Sequence, residues 1–201
     1  MRVLSLCLLL GLLAACATPK PESAADPQAA LLAGLRQGGY LLYLRHADTA
    51  VAPEPAVRDL GDCAWQRNLS ERGRAQAAAL GAMLRQQGIA VSAVEASGFC
   101  RTRQTAELVF GRVPTVSTDL FYHVSQTPAE IAAETAGLKV LLGRRPAAGN
   151  IGLVGHAPTF RDATGIELAE GQGAIVKPAG DATFSVVGRL DASGISAGRG
   201  S

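Results

Sequence analysis

Two of the three histidines in this chain end short apolar runs: His46 follows Tyr40–Arg45, and His156 follows Ile151–Val154 and Gly155. Arg45 directly precedes the first of them. A third apolar run, Ala90–Ala96, leads into Ser97 and, four residues later, Arg101. In an open α/β sheet, sites gather at the carboxyl ends of the strands. If the three runs are strands of such a sheet, two imidazoles and two guanidinium groups share one rim. That set suits phosphate. Guanidinium groups grip phosphoryl oxygens bidentately and stay charged, and a neutral imidazole can attack phosphorus in line, splitting one hard displacement into two easier ones. Helix amino termini at the rim would add N–H donors. His46 is the candidate nucleophile. The chain has no G-x-x-x-x-G-K-[ST] and no G-x-G-x-x-G, and no H-E-x-x-H or close histidine pair for zinc. No cofactor and no metal are expected.

The elements that must position these residues are readable from periodicity and caps. A short helix is predicted near Ala29–Gln37, closed by Gly38-Gly39, before the strand Tyr40–Arg45. Ser70 is a plausible N-cap for a long helix running to Arg85. Then come a strand at Ala90–Ala96, a helix at Arg101–Phe110, a short strand at Val113–Ser117 and a helix at Pro128–Leu142 with proline in its first turn. Ile151–Val154 reads as a buried strand, Pro158–Gly165 as a short helix, and Ala174–Lys177 and Ala182–Leu190 as a hairpin across Pro178–Asp181. Alternating strands and helices imply an α/β fold, a three-layer α/β/α sandwich whose central sheet is mostly parallel but mixed.

The chain has 201 residues and is 48% hydrophobic, enough to bury the core of one domain of ordinary size. Its beginning reads differently. Met1-Arg2 is followed by a nearly continuous apolar run to Ala15, too short to span a membrane but suited to a secretory signal. Leu13-Ala14-Ala15-Cys16 resembles the bacterial lipoprotein box, which implies cleavage before Cys16 and lipidation of its thiol. The expected division is a signal over residues 1–15, lipidated Cys16 and a proline-rich tether over 16–28, and the domain over 29–201. Ala17 after the cysteine favours, by resemblance to Gram-negative lipoproteins, the periplasmic face of the outer membrane. Loss of Arg2 with the signal lowers the formal net charge from +2 to +1. With no basic run, nucleic acid is not an expected partner; a phosphorylated small molecule or phosphoprotein, and a membrane reached through the lipid, are.

Four segments, in order, resemble the histidine phosphatase (phosphoglycerate mutase-like) superfamily in its compact branch without a cap domain: Leu44-Arg45-His46-Ala47-Asp48-Thr49, Asn68–Ala77, Ser97–Ala106 and Leu153–Pro158. The resemblance implies that His46 becomes phosphohistidine. It implies that Arg45, Arg101 and His156 hold the phosphoryl oxygens, with Thr49 also in contact with substrate, and that no metal is needed. Water then hydrolyses the phosphoenzyme. Ala47 replaces the usual glycine. The glutamate that serves mutase-type relatives as general acid is missing from Thr118–His123, where Asp119 is the best local candidate and Asp48 and His123 stand behind it. Ala157 excludes the branch with an acid directly after the second histidine.

Cys63 and Cys100 both border the expected pocket, and in an exported domain they are expected to form a disulfide. Arg58, Arg67 and Arg103 are candidates for its mouth, with solvated surface roles as an equal alternative. The functional expectation is a lipid-anchored, metal-independent phosphatase acting on phosphomonoesters or phosphohistidine. The alternative is a non-catalytic envelope lipoprotein that binds phosphorylated or anionic ligands.

Overall fold

The computed structural model describes residues 26–53, 59–122 and 126–198. The expected signal, Cys16, Arg58 and His123 lie outside the described residues. Among the described residues, five helices flank one seven-stranded sheet: α1 (Pro27–Gln37), β1 (Leu41–Arg45), α2 (Glu71–Gln86), β2 (Val91–Ala96), α3 (Cys100–Phe110), β3 (Thr115–Val116), α4 (Pro128–Gly143), β4 (Asn150–Gly155), α5 (Ala157–Thr164), β5 (Gly173–Gly180), β6 (Thr183–Asp191) and β7 (Gly194–Ala197). The strand order is β3-β2-β4-β1-β5-β6-β7. β1, β2, β3 and β4 run parallel, while β5, β6 and β7 continue the sheet antiparallel from β1. The fold is the expected three-layer α/β/α arrangement with a mixed sheet.

β1 is wholly apolar up to Arg45 because both of its faces are covered. Leu42 and Leu44 point into one core layer with Leu31, Leu35, Leu80, Leu84 and Val109 from α1, α2 and α3. Leu41 and Tyr43 point the other way, into a layer with Leu138, Leu142 and Phe160 from α4 and α5. Burying each such side chain contributes roughly 1.5–3 kcal/mol. α2 shows the matching helical stripe, burying Gly73, Ala77, Leu80, Gly81 and Leu84. Its N-cap is Ser70, whose Oγ accepts from Gly73 N at 3.0 Å. α4 opens with a capping box between Thr127 and Glu130 and with Pro128 at its start.

Most boundaries shift by a residue or two, β3 shrinking to Thr115–Val116, and three differences from expectation have a visible cause. α1 starts at Pro27, not Ala29, because Asp26 caps it: Asp26 Oδ1 accepts from Gln28 N at 3.0 Å, and a proline at the first helical position suits a helix start as well as it suits a tether. β5 runs through Pro178 to Gly180, leaving a two-residue turn at Asp181-Ala182 with φ of 49° and 59°. The ladder is irregular between Pro178 and Gly180, where a residue without an N–H is tolerated. β7 has no counterpart in the sequence reading. It is an edge strand held from outside the sheet, since Gln28 Oε1 accepts from Ala197 N at 2.7 Å and Gln28 Nε2 donates to Ile195 O.

The pairing that matters for chemistry is β1 with β4, in which Arg45 lies opposite Gly155. His46 and His156 therefore leave the sheet side by side, and His46 N donates to Gly155 O at 3.1 Å. Tyr43, wholly buried, locks the second histidine from beneath: its hydroxyl donates to His156 O at 3.0 Å and accepts from His156 N at 3.1 Å. Gly155 is required by this clamp, because a β-carbon there would run into Tyr43 Oη and press on Leu120 O. Gly155→Ala is expected to destabilise the protein by about 1–3 kcal/mol, as overpacking does, read as a fall in the urea midpoint. An unchanged midpoint would mean that Tyr43 moves aside at no cost.

Candidate active site

His46, His156, Arg45 and Arg101 converge with Arg67, Tyr122, Ala157, Pro158 and Glu167 on one cavity of about 230 Å³. The imidazole centroids of His46 and His156 are 5.4 Å apart. His46 Nδ1 lies 2.9 Å from Ala47 O, and a carbonyl oxygen only accepts. The proton therefore sits on Nδ1, and Nε2 keeps its lone pair. His156 Nε2 shares a 3.0 Å hydrogen bond with Ser97 Oγ at the end of β2.

Both rings are buried, His46 at 2% and His156 at 1% exposure. Burial is the first cause that pulls His46 down to about 3, followed by the Arg101 charge. His156 is held well below the ordinary histidine range by burial, then by His46 and Arg101. Desolvation and neighbouring positive charge both disfavour imidazolium. At neutral pH His46 is thus a neutral ring with a free Nε2, the form a nucleophile needs. An arriving phosphate dianion offsets the guanidinium charge and eases protonation of His156.

Arg101 occupies the first turn of α3, wholly buried, with its guanidinium carbon 4.4 Å from the Phe99 ring centroid. α3 is fixed by threonines. Thr102 Oγ1 donates to Ser97 O, Thr105 Oγ1 donates to Arg101 O, both at 2.7 Å, and Thr105 Oγ1 accepts from Ala47 N at 3.0 Å. Arg45 donates through Nη1 to Leu168 O at 2.9 Å and through Nη2 to Glu170 Oε1 at 3.4 Å. Arg67 Nη2 lies 3.8 Å from the same Glu170 oxygen. α5 begins at the cavity with His156 as its N-cap, so its positive end faces the cavity.

Not every expected residue joins them. Asp119 is not among the residues lining this cavity. The 3-10 turn Thr118–Leu120 drives Leu120 into the core, leaving the Asp119 carboxylate against Gly137 of α4, in a separate cavity with Arg144 and Arg145. Tyr122 takes the place at the rim instead. Asp48 also faces elsewhere: Arg72 pairs with one of its oxygens and Ser70 Oγ donates to the other. These bonds, the one from Arg72 first, hold it below the usual carboxylate range. Thr49 is turned to Glu170, giving it a bond from N at 3.2 Å and one from Oγ1 at 3.1 Å. Cys63 and Cys100 are joined in a disulfide, with Cα atoms 5.8 Å apart.

Glu170 went unrecognised in the sequence. Its carboxylate sits at the centre of Arg45, Arg67 and Thr49, but one acid in a turn after a short helix normally reads as solvated surface, and no local pattern marks it. Tyr122 and Glu167 carry no sequence signal either. Of the arginines considered for the pocket mouth, Arg67 lines the cavity and Arg103 lies against the two cysteine sulfurs, while Arg58 is outside the described residues.

Residues 41–120 match the family model described as histidine phosphatase superfamily (branch 1). Solved structures share the fold. The protein histidine phosphatase SixA complexed with tungstate superimposes with a TM-score of 0.58 at 16% identity, covering 77% of this chain and 97% of that one. A phosphoserine phosphatase mutant from Entamoeba histolytica, in complex with phosphoserine, gives a TM-score of 0.55 at 11% identity, covering 77% and 96%. Mycobacterial hydrolase 1 gives 0.53 at 17%, covering 74% and 97%. No match is found among curated proteins.

The neutral histidines carry a stability signature. An unfolded histidine titrates near 6.5, while folded His46 does so near 3. Between these values the unfolded chain takes up a proton that the folded one refuses. Stability is therefore full above pH ~6.5 and falls as pH drops toward 3, by at most about 1.4 kcal/mol per pH unit for each such histidine. Urea midpoints at pH 7.5 and pH 5 should show this fall, and His46→Ala should reduce it, leaving the share that His156 contributes. Equal slopes in the two proteins would place a proton on His46 in the folded state.

Proposed function

We infer that this chain, whose residues 41–120 match the histidine phosphatase superfamily (branch 1) model, is a phosphatase that works through a phosphohistidine on His46. One observation carries the reading: a buried, neutral His46 with its proton fixed on Nδ1 faces, in one small cavity, three guanidinium groups suited to phosphoryl oxygens. In the first step Nε2 attacks phosphorus, a P–N bond forms, and the bond to the leaving group breaks with its electron pair on the leaving atom. Arg45, Arg67 and Arg101 stabilise charge on the three equatorial oxygens, and so does His156 in its protonated form. In the second step water attacks phosphorus from the side the leaving group vacated. The P–N bond breaks, and phosphate departs.

The cavity is smaller than the 300–1,000 Å³ usual for small-ligand pockets, and it opens beside Tyr122 and Glu167. It accommodates a phosphoryl group and the first atoms of whatever bears it. Among the described residues, Glu167 is the one carboxylate lining it, and this acid is ion-paired to Arg161 at 3.6 Å. With no carboxylic acid among the described residues dedicated to leaving-group protonation, the reading favours groups that depart readily: the imidazole of phosphohistidine and aryl or acyl phosphates over alkyl phosphates. The similarity in fold to the protein histidine phosphatase SixA supports the same substrate class. The Leu13–Cys16 motif supports export and lipidation at Cys16, which would hold the domain at an envelope membrane, on the periplasmic face of the outer membrane.

Incubation with labelled aryl phosphate or phosphohistidine, followed by denaturation in alkali, should trap a base-stable, acid-labile phosphoenzyme. His46→Ala should abolish it and lower turnover by about 10³-fold or more. A wild-type protein that forms no adduct with either substrate would end the catalytic reading. Separately, cells fed labelled palmitate should incorporate it into the wild-type chain and not into Cys16→Ser. Label retained in Cys16→Ser would remove the anchor from the proposal.

A further inference from the structure

The Cys63–Cys100 disulfide connects the two sides of the phosphate cavity, and they differ in how firmly the protein holds them. Cys100 is 1% exposed and begins α3, directly before the buried Arg101. Cys63 begins a 3-10 turn, Cys63–Trp65, in a surface loop. No side chain from residue 59 to residue 67 is buried, and Trp65 is 72% exposed. Most polar contacts of this loop are internal, such as Asp62 Oδ1 to Ala64 N at 2.9 Å and Gln66 Nε2 to Asp59 O at 2.8 Å. Such a segment has little apolar burial to hold its shape. Its ties to α3 are the disulfide, the 2.8 Å bond from Cys100 N to Gln66 Oε1, and Arg103, whose Nη2 lies 3.3 Å from Cys100 Sγ and 3.9 Å from Cys63 Sγ.

The loop nevertheless delivers Arg67. Its guanidinium lies 3.8 Å from Glu170, lines the cavity, and is close enough for its charge to oppose protonation of both His46 and His156. We propose that the Cys63–Cys100 disulfide is a positioning element that holds Arg67 in the cavity as its third phosphate-binding arginine, so that affinity for the phosphoryl group depends on the intact bond. This rests on the phosphoryl-transfer reading of the same cavity. Reduction by dithiothreitol delivers two electrons and two protons to the disulfide. It yields two thiols and the cyclic oxidised reagent, and it frees the loop four residues before Arg67.

The test uses the full chain with inorganic phosphate as ligand, titrated calorimetrically. Reduced wild type and Cys63→Ala, whose lost thiol lies outside the core, should both bind phosphate about tenfold more weakly than oxidised wild type. That is the scale of one weakened bond to a charged group. Oxidised Arg67→Ala should show a similar loss, and reducing it should cost nothing more. With aryl phosphate, reduction should raise KM by more than it lowers kcat. The proposal is overturned if phosphate affinity is unchanged on reduction, or if reduction weakens Arg67→Ala by the same factor as wild type. It is also overturned if both the reduced protein and Cys63→Ala lose their far-UV signal, because the bond is then structural. Phosphate binding needs no turnover, so an enzyme that binds phosphate but forms no phosphoenzyme contradicts the catalytic reading alone.

Discussion

Three guanidinium groups face two buried imidazoles in this protein, and the electrostatic cost of that convergence governs what surrounds it. Like charges held together out of water repel strongly, and the site answers in two ways. The imidazoles give up their protons, so that neither adds to the positive charge. Glu170 supplies one carboxylate to Arg45 and Arg67 together, and Thr49 completes its hydrogen bonding from the other side. Arg101, the most deeply placed of the three, lies against the face of Phe99, where a cation is attracted by the ring. What remains is a cavity with surplus positive charge, which a dianion such as a phosphoryl group would discharge, in keeping with the function proposed above. On the proposed function, neutral histidine and phosphate affinity are one property seen from two sides: the field that would bind the anion also keeps His46 unprotonated.

Placement to this accuracy is a matter of sheet register. Because Arg45 pairs with Gly155, the residue after each strand is a histidine at the same height, and a slip of one residue would turn every side chain of β1 to the opposite face. The slip is prevented by burial on both faces, with Leu42 and Leu44 committed to one core layer and Leu41 and Tyr43 to the other. Tyr43 adds a polar lock, its hydroxyl meeting both backbone groups of His156, alongside Phe160 N, which also donates to His156 O. The rigidity of the two histidines therefore comes from the core. Arg67 comes from a loop without such support, which is why a covalent tie is found there and not between the strands.

What the sequence disclosed follows the range of the interactions involved. The strands β1, β2 and β4, the Ser70 cap, the Pro128 helix start and the residues at the strand ends are written in local patterns of a few residues, and those local patterns put His46, Arg101 and His156 on one rim. The pairing of Cys63 with Cys100 was legible once both were seen to border that rim. Asp119 was misplaced because a 3-10 turn, not sequence distance, decides which of two adjacent side chains meets the core, and here Leu120 takes it. Glu170 and β7 escaped for a related reason. Glu170 acts on residues more than a hundred positions away, and the weakly apolar Gly194–Ala197 is a strand only because β6 and Gln28 offer it partners.

The same logic bears on the reaction. A carboxylic acid able to protonate a leaving group must keep its proton near neutral pH, which requires burial or a neighbouring negative charge. Around this cavity the surplus charge is positive, so a carboxyl group drawn into it would ionise and pair with an arginine, as Glu170 does with Arg45 and Arg67. An arrangement of guanidinium groups that keeps two histidines neutral, and that on the proposed function holds phosphate, therefore works against housing a general acid within it. A substrate whose leaving group departs without that help, as a protonated imidazole or a phenolate does, makes the fewest demands on such a site. The leaving groups this cavity suits follow from its charge as much as from its shape.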